Sequence, residues 1–156
     1  MRITIRAHGK LGRGPEREMT DDYLRRASQL ARGTGFRDVV EDEVETKGRA
    51  DRTAQTRALL DGVPEEAMLV LMDERGKSLT STVIAKQLSV WRDDGVGELY
   101  ILVGPADGYD PTLLPASATR WAFGTQTWPH KLLRVMLAEQ LFRALSILAG
   151  TPYHRP

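Results

Sequence analysis

The chain has 156 residues, of which 41% are hydrophobic, and its formal net charge is only +1. This length is enough to bury a core, and we expect residues 1–156 to form a single domain. The absence of cysteine excludes disulfides and thiolate metal sites, which fits a reducing, cytoplasmic location. The N-terminus alternates polar and apolar residues, so it predicts neither a signal peptide nor a membrane helix.

Four segments organise the first third of the chain. Residues 2–8 alternate between polar and apolar types, which predicts a strand, and a helix follows over about residues 16–32. Residues 37–45 predict a second strand, which is strongly acidic and is therefore expected at a sheet edge. Asp51 can cap a helix that runs to Leu60.

The middle of the chain contains the most apolar segments. Residues 67–72 form a continuous apolar run, which is typical of a central strand buried on both faces, and residues 99–103 form another. A helix is expected to begin at Thr80 or Ser81 between them, and residues 120–123 predict the last strand. Strands that alternate with helices predict an α/β fold with a mostly parallel sheet flanked by helices.

A long helix over residues 129–149 is the clearest prediction. Thr127 is a candidate N-cap, Pro129 would lie in the first turn, and Gly150 suits the residue after the last turn. Its apolar residues recur at spacings of three and four, in the series Leu133, Leu137, Leu141, Leu145 and Leu148.

Three loops, 73–79, 104–110 and 124–128, follow the ends of predicted inner strands. Ligands of open α/β sheets bind at that edge, so the loops predict a pocket there. Gly76-Lys77-Ser78 is not a phosphate-binding P-loop, because the glycine that this motif needs five residues earlier is Leu71. Neither metal-ligand spacing nor a catalytic triad is evident.

Four motifs carry a resemblance to a known family. They are L-M-D-E-R-G-K-S-L-T-S (71–81), I-L-V-G-P-A-D-G (101–108), T-W-P-H-K-L-L-R-V-M-L-A-E-Q-L-F-R-A (127–144) and G-T-P-Y-H-R (150–155). Over essentially its whole length the chain resembles the RlmH family of SPOUT-type 23S rRNA (pseudouridine-N3)-methyltransferases. The resemblance implies a C-terminal trefoil knot in the α/β fold. It also implies a homodimer whose pocket is built partly by the partner chain, and a substrate within the assembled 70S ribosome.

The cofactor implied by the resemblance is S-adenosyl-L-methionine, bound by the three loops without a metal. The corresponding residues here are Met72, Gly104, Phe123, Gly124, Thr125, Gln126, Thr127 and Trp128. One departure from the family pattern is Pro105, which either replaces a second glycine or marks a one-residue insertion. Proline lacks an N–H donor, so contacts from residues 105–107 are the ones it affects.

Tyr153, His154 and Arg155 are the candidate catalytic residues. N3 of pseudouridine is a weak acid, so a base or a cation that stabilises its deprotonated form is useful. We hypothesise that His154 assists deprotonation, that Arg155 holds a phosphate or the developing negative oxygen, and that Tyr153 stacks on or hydrogen-bonds the base. His130 is a further candidate, with a structural role as the equal alternative.

Recognition of an assembled ribosome suits the near-neutral charge, with basic patches expected near Arg2, Arg6, Lys131 and Arg134. Two alternatives stay open. One is a non-catalytic ribosome- or RNA-binding protein with the same knotted α/β fold, for which Pro105 is the only support. The other is a SPOUT methyltransferase that acts on tRNA.

Overall fold

A computed structural model describes all residues from 1 to 156. Five strands form one sheet in the order β2-β1-β4-β3-β5, and every neighbouring pair is parallel. The strands are β1 (Arg2–His8), β2 (Asp38–Val44), β3 (Met68–Ser78), β4 (Glu98–Val103) and β5 (Thr119–Ala122). The helices are α1 (Pro15–Ala31), α2 (Arg52–Leu60), α3 (Ser81–Asp93) and α4 (His130–Ala149), with short 3-10 turns at Arg32–Thr34 and Pro111–Leu113. The predicted α/β class with a parallel sheet is confirmed.

The core lies on both faces of the sheet. Alternate residues of a strand face opposite sides, so Val70 packs with the residues of α1, α3 and α4, whereas Leu71 packs with Leu59 of α2. The core on the face that α1, α3 and α4 cover is much the larger, and α4 contributes four residues to it that are 0% exposed. Burial on both faces explains why the inner strands read as continuous apolar runs.

The acidic strand β2 lies at the sheet edge, as predicted, but its carboxylates are not simply solvated. Glu41 and Glu43 both accept hydrogen bonds from Arg134 of α4 and from Arg17 of α1. The side chain of Arg134 is only 4% exposed, and it also donates to the carbonyl of Gly9 at 3.0 Å. The acids therefore stabilise the packing of α4 and α1 against the edge strand.

Strand β3 is longer than the sequence predicts. The expected end at Met72 is wrong, because pairing with β5 resumes at Lys77 and Ser78 after an irregularity between Met72 and Lys77. A Cβ atom at Gly76 would lie 2.8 Å from backbone atoms of Arg120 and Trp121. Only glycine allows this close backbone approach, which holds the extension of β3 against β5.

The start of α4 also differs from expectation. Pro129 occupies the N-cap position with non-helical backbone angles and makes no side-chain cap. Thr127 is not the cap, because its hydroxyl donates to Glu74 of the first loop at 2.7 Å. At the other end, the prediction for Gly150 is confirmed. Its φ of 69° is left-handed, and its N–H donates a hydrogen bond to the carbonyl of Ile147.

None of the helices combines the length and the hydrophobicity needed to cross a bilayer. The trefoil knot that the resemblance implies stays a prediction.

Candidate active site

The predicted first loop, whose residues 73–75 lie in the irregular part of β3, and the loops after β4 and β5 enclose a cavity of about 310 Å³. This volume lies at the lower end of the range for small-molecule pockets, roughly 300–1,000 Å³. Eighteen residues line it, eight of them hydrophobic. The predicted convergence of three loops on one pocket is confirmed.

Tyr109 joins the first two loops. Its hydroxyl donates to the carbonyls of Leu102 at 2.7 Å and Met72 at 3.2 Å, so the ends of β4 and β3 are held by one side chain. Burial raises the pKa of this phenol far above its ordinary value, so it stays a donor. The ring lies so close to Gly104 that a Cβ atom there would be 2.7 Å from Cζ. Tyr109 was not among the predicted site residues, although the sequence shows an aromatic residue directly after Gly108.

The third loop is held by two side-chain hydrogen bonds. The indole N–H of Trp128 donates to the carbonyl of Phe123 at 2.7 Å and closes the loop on itself. Thr127 ties the loop to Glu74, as described above. The third loop is therefore fixed both internally and to the first loop.

Most of the predicted cofactor residues come together in this cavity. Those that line it are Met72, Gly104, Phe123, Gln126, Thr127 and Trp128. Gly124 and Thr125 belong to the same loop but are not among the lining residues. Pro105 lines the cavity as well, and its carbonyl accepts the N–H of Gly108 at 2.9 Å, so this loop forms a closed turn despite the missing proline donor.

Two acidic residues of the first loop line the cavity and were not predicted. The side chain of Asp73 is 5% exposed and pairs with Arg75 and Arg120. Burial works to raise the pKa of its carboxyl, but the backbone N–H and guanidinium of Arg75, together with Arg120, outweigh that effect and lower it. Glu74 is exposed and accepts from Thr127. Asp73 is compensated by these two arginines, so Glu74 is the carboxylate of this segment without an ion-pair partner.

His130 also lines the cavity, at the start of α4. Its pKa is lowered by burial first and then by the charges of Arg134 and His8. A larger fraction of this imidazole is therefore neutral near pH 7 than in an ordinary histidine. The placement favours a role at the pocket over a purely structural one.

The three candidate catalytic residues lie elsewhere. The ring of Tyr153 packs 4.5 Å from that of Phe142, and its hydroxyl donates to Glu139 at 2.9 Å. Nδ1 of His154 lies 3.4 Å from a guanidinium nitrogen of Arg143, and Arg155 is exposed. Burial and the neighbouring Glu139 raise the pKa of Tyr153 to about 12.

The tail and the cavity of one chain are separated along α4. The cavity contacts the helix at His130 and Leu133, whereas the tail contacts it from Glu139 onward. At 1.5 Å per residue, Glu139 is about 14 Å along the axis from His130. None of the tail residues lines the cavity. The structure brings the cofactor candidates together but does not bring Tyr153, His154 and Arg155 to them within one chain.

The basic patches expected near Arg6 and Arg134 are not formed by these two side chains, which are paired with acids. Arg134 is buried among the acids of β2, and the Arg6 side chain, 11% exposed, pairs with Asp42. Arg2 and Lys131 are exposed. No group of three or more histidine, aspartate or glutamate side chains is placed to hold a metal ion.

Comparison with known proteins defines the class. Residues 1–154 match the family described as "Predicted SPOUT methyltransferase", and the chain belongs to this SPOUT methyltransferase family. It is 52% identical over 155 residues to the ribosomal RNA large subunit methyltransferase H of Hyphomonas neptunium, with 99% of each chain covered. The proteins of the same name from Maricaulis maris and Bradyrhizobium diazoefficiens are 46% and 45% identical, again over 99% of each chain. The resemblance to the RlmH family is thereby confirmed.

Proposed function

We propose that this chain transfers a methyl group from S-adenosyl-L-methionine to N3 of a pseudouridine in 23S rRNA on the assembled 70S ribosome. The observation that carries the proposal is the cavity formed by the three strand-end loops. It occurs in a chain that aligns from end to end with proteins named as ribosomal RNA large subunit methyltransferases.

The lining of the cavity suits this cofactor chemically. Met72, Phe123, Trp128 and Leu133 offer apolar surface for an adenine ring. The carboxylate of Glu74, which lines the cavity, would attract a positively charged ligand. When bound, the cofactor supplies an activated methyl group on a sulfonium. The task left to the protein is to orient the acceptor nitrogen and to favour its deprotonated form.

The tail has the residue types for the second task. Because the pKa of Tyr153 is about 12, its phenol stays protonated near neutral pH; its one proton is donated to Glu139, so donation to a base would require that bond to break. An arginine N–H can only donate, so Nδ1 of His154 accepts from Arg143 and Nε2 carries the proton; His154 can act as a base only once its lone pair is released from Arg143. We assign deprotonation of N3 to His154 and the holding of a phosphate or the negative oxygen to Arg155. Full retention of the single-turnover rate in His154→Ala would contradict the assignment of His154 as the base.

The separation of tail and cavity favours a homodimer, in which the tail of one copy completes the cavity of the other. Leu132, in the first turn of α4 beside the cavity, is 40% exposed. A partner subunit could cover this apolar side chain and bring its own tail to the cavity. Light scattering of the purified protein checks the dimer, and a monomeric mass at assay concentration would contradict it.

Labelled methyl transfer tests the activity. The substrates are 70S ribosomes that lack the modification, separated subunits, free 23S rRNA and tRNA. We expect label in one pseudouridine of the large-subunit RNA, and only with assembled ribosomes. Labelling of tRNA, or cofactor binding without label in any ribosomal RNA, would mean a different RNA substrate. A protein that binds ribosomes but neither binds cofactor nor transfers label would be a non-catalytic binding protein.

A further inference from the structure

A second cavity, of about 440 Å³, lies behind the first one. It is bounded by the extension of β3, by α3 and by the start of β5. Arg75 and Trp121 line both cavities, so the two share a wall. A ligand in the second cavity would therefore lie beside whatever occupies the first.

The second cavity is cationic. Arg75, Lys77 and Arg120 are among its nine lining residues, and none of the nine is acidic. The nearest compensating charge is Asp73, which pairs with both Arg75 and Arg120. Lys77 is exposed and takes part in no ion pair. One carboxylate against three cations leaves a surplus of positive charge that favours an anion.

Two buried polar groups at the second cavity have no protein partner; the N–H of Trp121 is a donor and suits an anion, whereas the Gln87 oxygen can only accept and calls for a water. The indole N–H of Trp121, a residue that is 1% exposed, and the side-chain oxygen of Gln87 are buried and form no hydrogen bond in the chain. Both residues line the second cavity. Buried polar groups are nearly always paired, so a missing partner at a cationic cavity points to a ligand or to water.

The backbone gives this cavity its shape. Because Gly76 rests against β5 with no room for a Cβ atom, Arg75 and Lys77 flank a point where two backbones touch. The site therefore depends on the β3 extension, which pairs with β5 again at Lys77 and Ser78 after the irregularity.

We propose that the second cavity binds a phosphodiester group of the RNA strand next to the nucleotide being methylated. The proposal rests on the proposed function. Phosphate contacts fix the register of a nucleic acid on a protein without reading its sequence. A cationic cavity that shares a wall with the methyl-donor cavity is where a flanking phosphate would set that register.

Lys77 is the residue that tests the proposal, because it lines only the second cavity and forms no ion pair that its replacement would break. The variants are Lys77→Ala and the conservative Lys77→Arg. Arg32→Ala is the matched control, since Arg32 is exposed in the turn before β2, at the opposite edge of the sheet. Binding to unmodified 70S ribosomes is measured across a salt series, separately from methyl transfer and from S-adenosylmethionine binding.

We expect Lys77→Ala to weaken ribosome binding about three- to tenfold and to reduce the salt slope by about 0.7–0.9, the loss of one phosphate contact. Lys77→Arg should restore most of both, and the affinity for S-adenosylmethionine should stay at the wild-type value. A Lys77→Ala variant that matches Arg32→Ala in affinity and salt slope would overturn the proposal.

Two further outcomes would also overturn it. If millimolar inorganic phosphate binds the wild-type protein and depends on Lys77 while ribosome affinity does not, the site holds a free anion. If Lys77→Glu changes the mass of the protein in solution, the cavity is a contact between copies. Ribosome binding is measured separately from methyl transfer. Absence of transfer by the wild type would therefore refute the proposed function, while the effect of Lys77 on ribosome binding could still be interpreted.

Discussion

The hydroxyl of Tyr153 donates a 2.9 Å hydrogen bond to the carboxylate of Glu139 and thereby anchors the chain's last residues on the second half of α4. Its ring also contacts Phe142 and lies under the guanidinium groups of Arg26 and Arg143. The tail is therefore a packed element whose position is set by α4.

Replacing Tyr153 should separate packing from hydrogen bonding. We expect Tyr153→Phe to lower the free energy of unfolding by about 1 kcal/mol, since it loses one partly exposed bond to a charged group. Tyr153→Ala also loses the ring contacts and should cost about 2–3 kcal/mol. Urea unfolding measures both, and equal values for the two variants would contradict the packing role.

The contact between Gly104 and Tyr109 predicts a coupled pair. Gly104→Ala should lower the free energy of unfolding by about 1–3 kcal/mol, because the new methyl meets Cζ and Cε1 of the Tyr109 ring at 2.7 and 2.8 Å. Tyr109→Leu removes those atoms, so Gly104→Ala should cost less in that background. Tyr109→Phe keeps the ring atoms and serves as the control. A cost that is the same in all three backgrounds would mean that the loop moves away instead.

Arg134 should matter for stability and not for RNA affinity. Arg134→Met leaves the partly buried Glu41 and Glu43 with Arg17 as their remaining cation, and we expect a loss of about 2–3 kcal/mol. The neighbouring Lys131 is exposed, and Lys131→Met should change stability by no more than about 0.5 kcal/mol. Thermal or urea unfolding of the two variants compares them. Similar stabilities would show that the Arg134 network contributes little.

Asp110 predicts an acid-dependent part of the stability. Hydrogen bonds from Thr53 and Thr112 lower the pKa of its carboxyl to about 2. Because this value is below the unfolded one of about 3.9, the ionised carboxylate stabilises the fold above pH 4. That contribution is lost as the pH falls from about 4 to about 2.

Asp110→Asn should therefore be less stable than the wild type at neutral pH, and the difference should shrink over that acid range. The exposed Asp107 in the same loop provides the control substitution Asp107→Asn. Unfolding at several pH values measures the effect, and a difference that stays constant from pH 6 to pH 2 would contradict it.

The elements of the fold were predictable because their signals are local. Asp51 caps α2 with a 2.8 Å bond to Ala54, and Thr80 caps α3, as their residue types predict. Thr127 has the same type but bonds Glu74, which is 53 residues away, and no local pattern reveals that contact. The extension of β3 past Asp73 is equally non-local, since it depends on Gly76 meeting β5.

The site was predictable where it follows from strand ends and from family resemblance. Met72 ends one apolar run and Gly104 directly follows another, so their place at the pocket could be expected. Whether a charged residue is buried or exposed could not be predicted, because the burial of Arg134 depends on how α4 packs against β2. Likewise, the distance between the tail and the cavity is set by which part of α4 Tyr153 contacts.

Complementation between two defective variants tests most directly whether the active site is shared by two copies. One variant carries His154→Ala and Arg155→Ala in the tail, and the other carries Trp128→Ala in the cavity. Each alone should be inactive in methyl transfer to 70S ribosomes. If the tail acts in the partner's cavity, co-expressed chains should recover about a quarter of wild-type activity, because mixed dimers contain one intact site. Recovery of no activity in mixed dimers of verified composition would contradict the shared site.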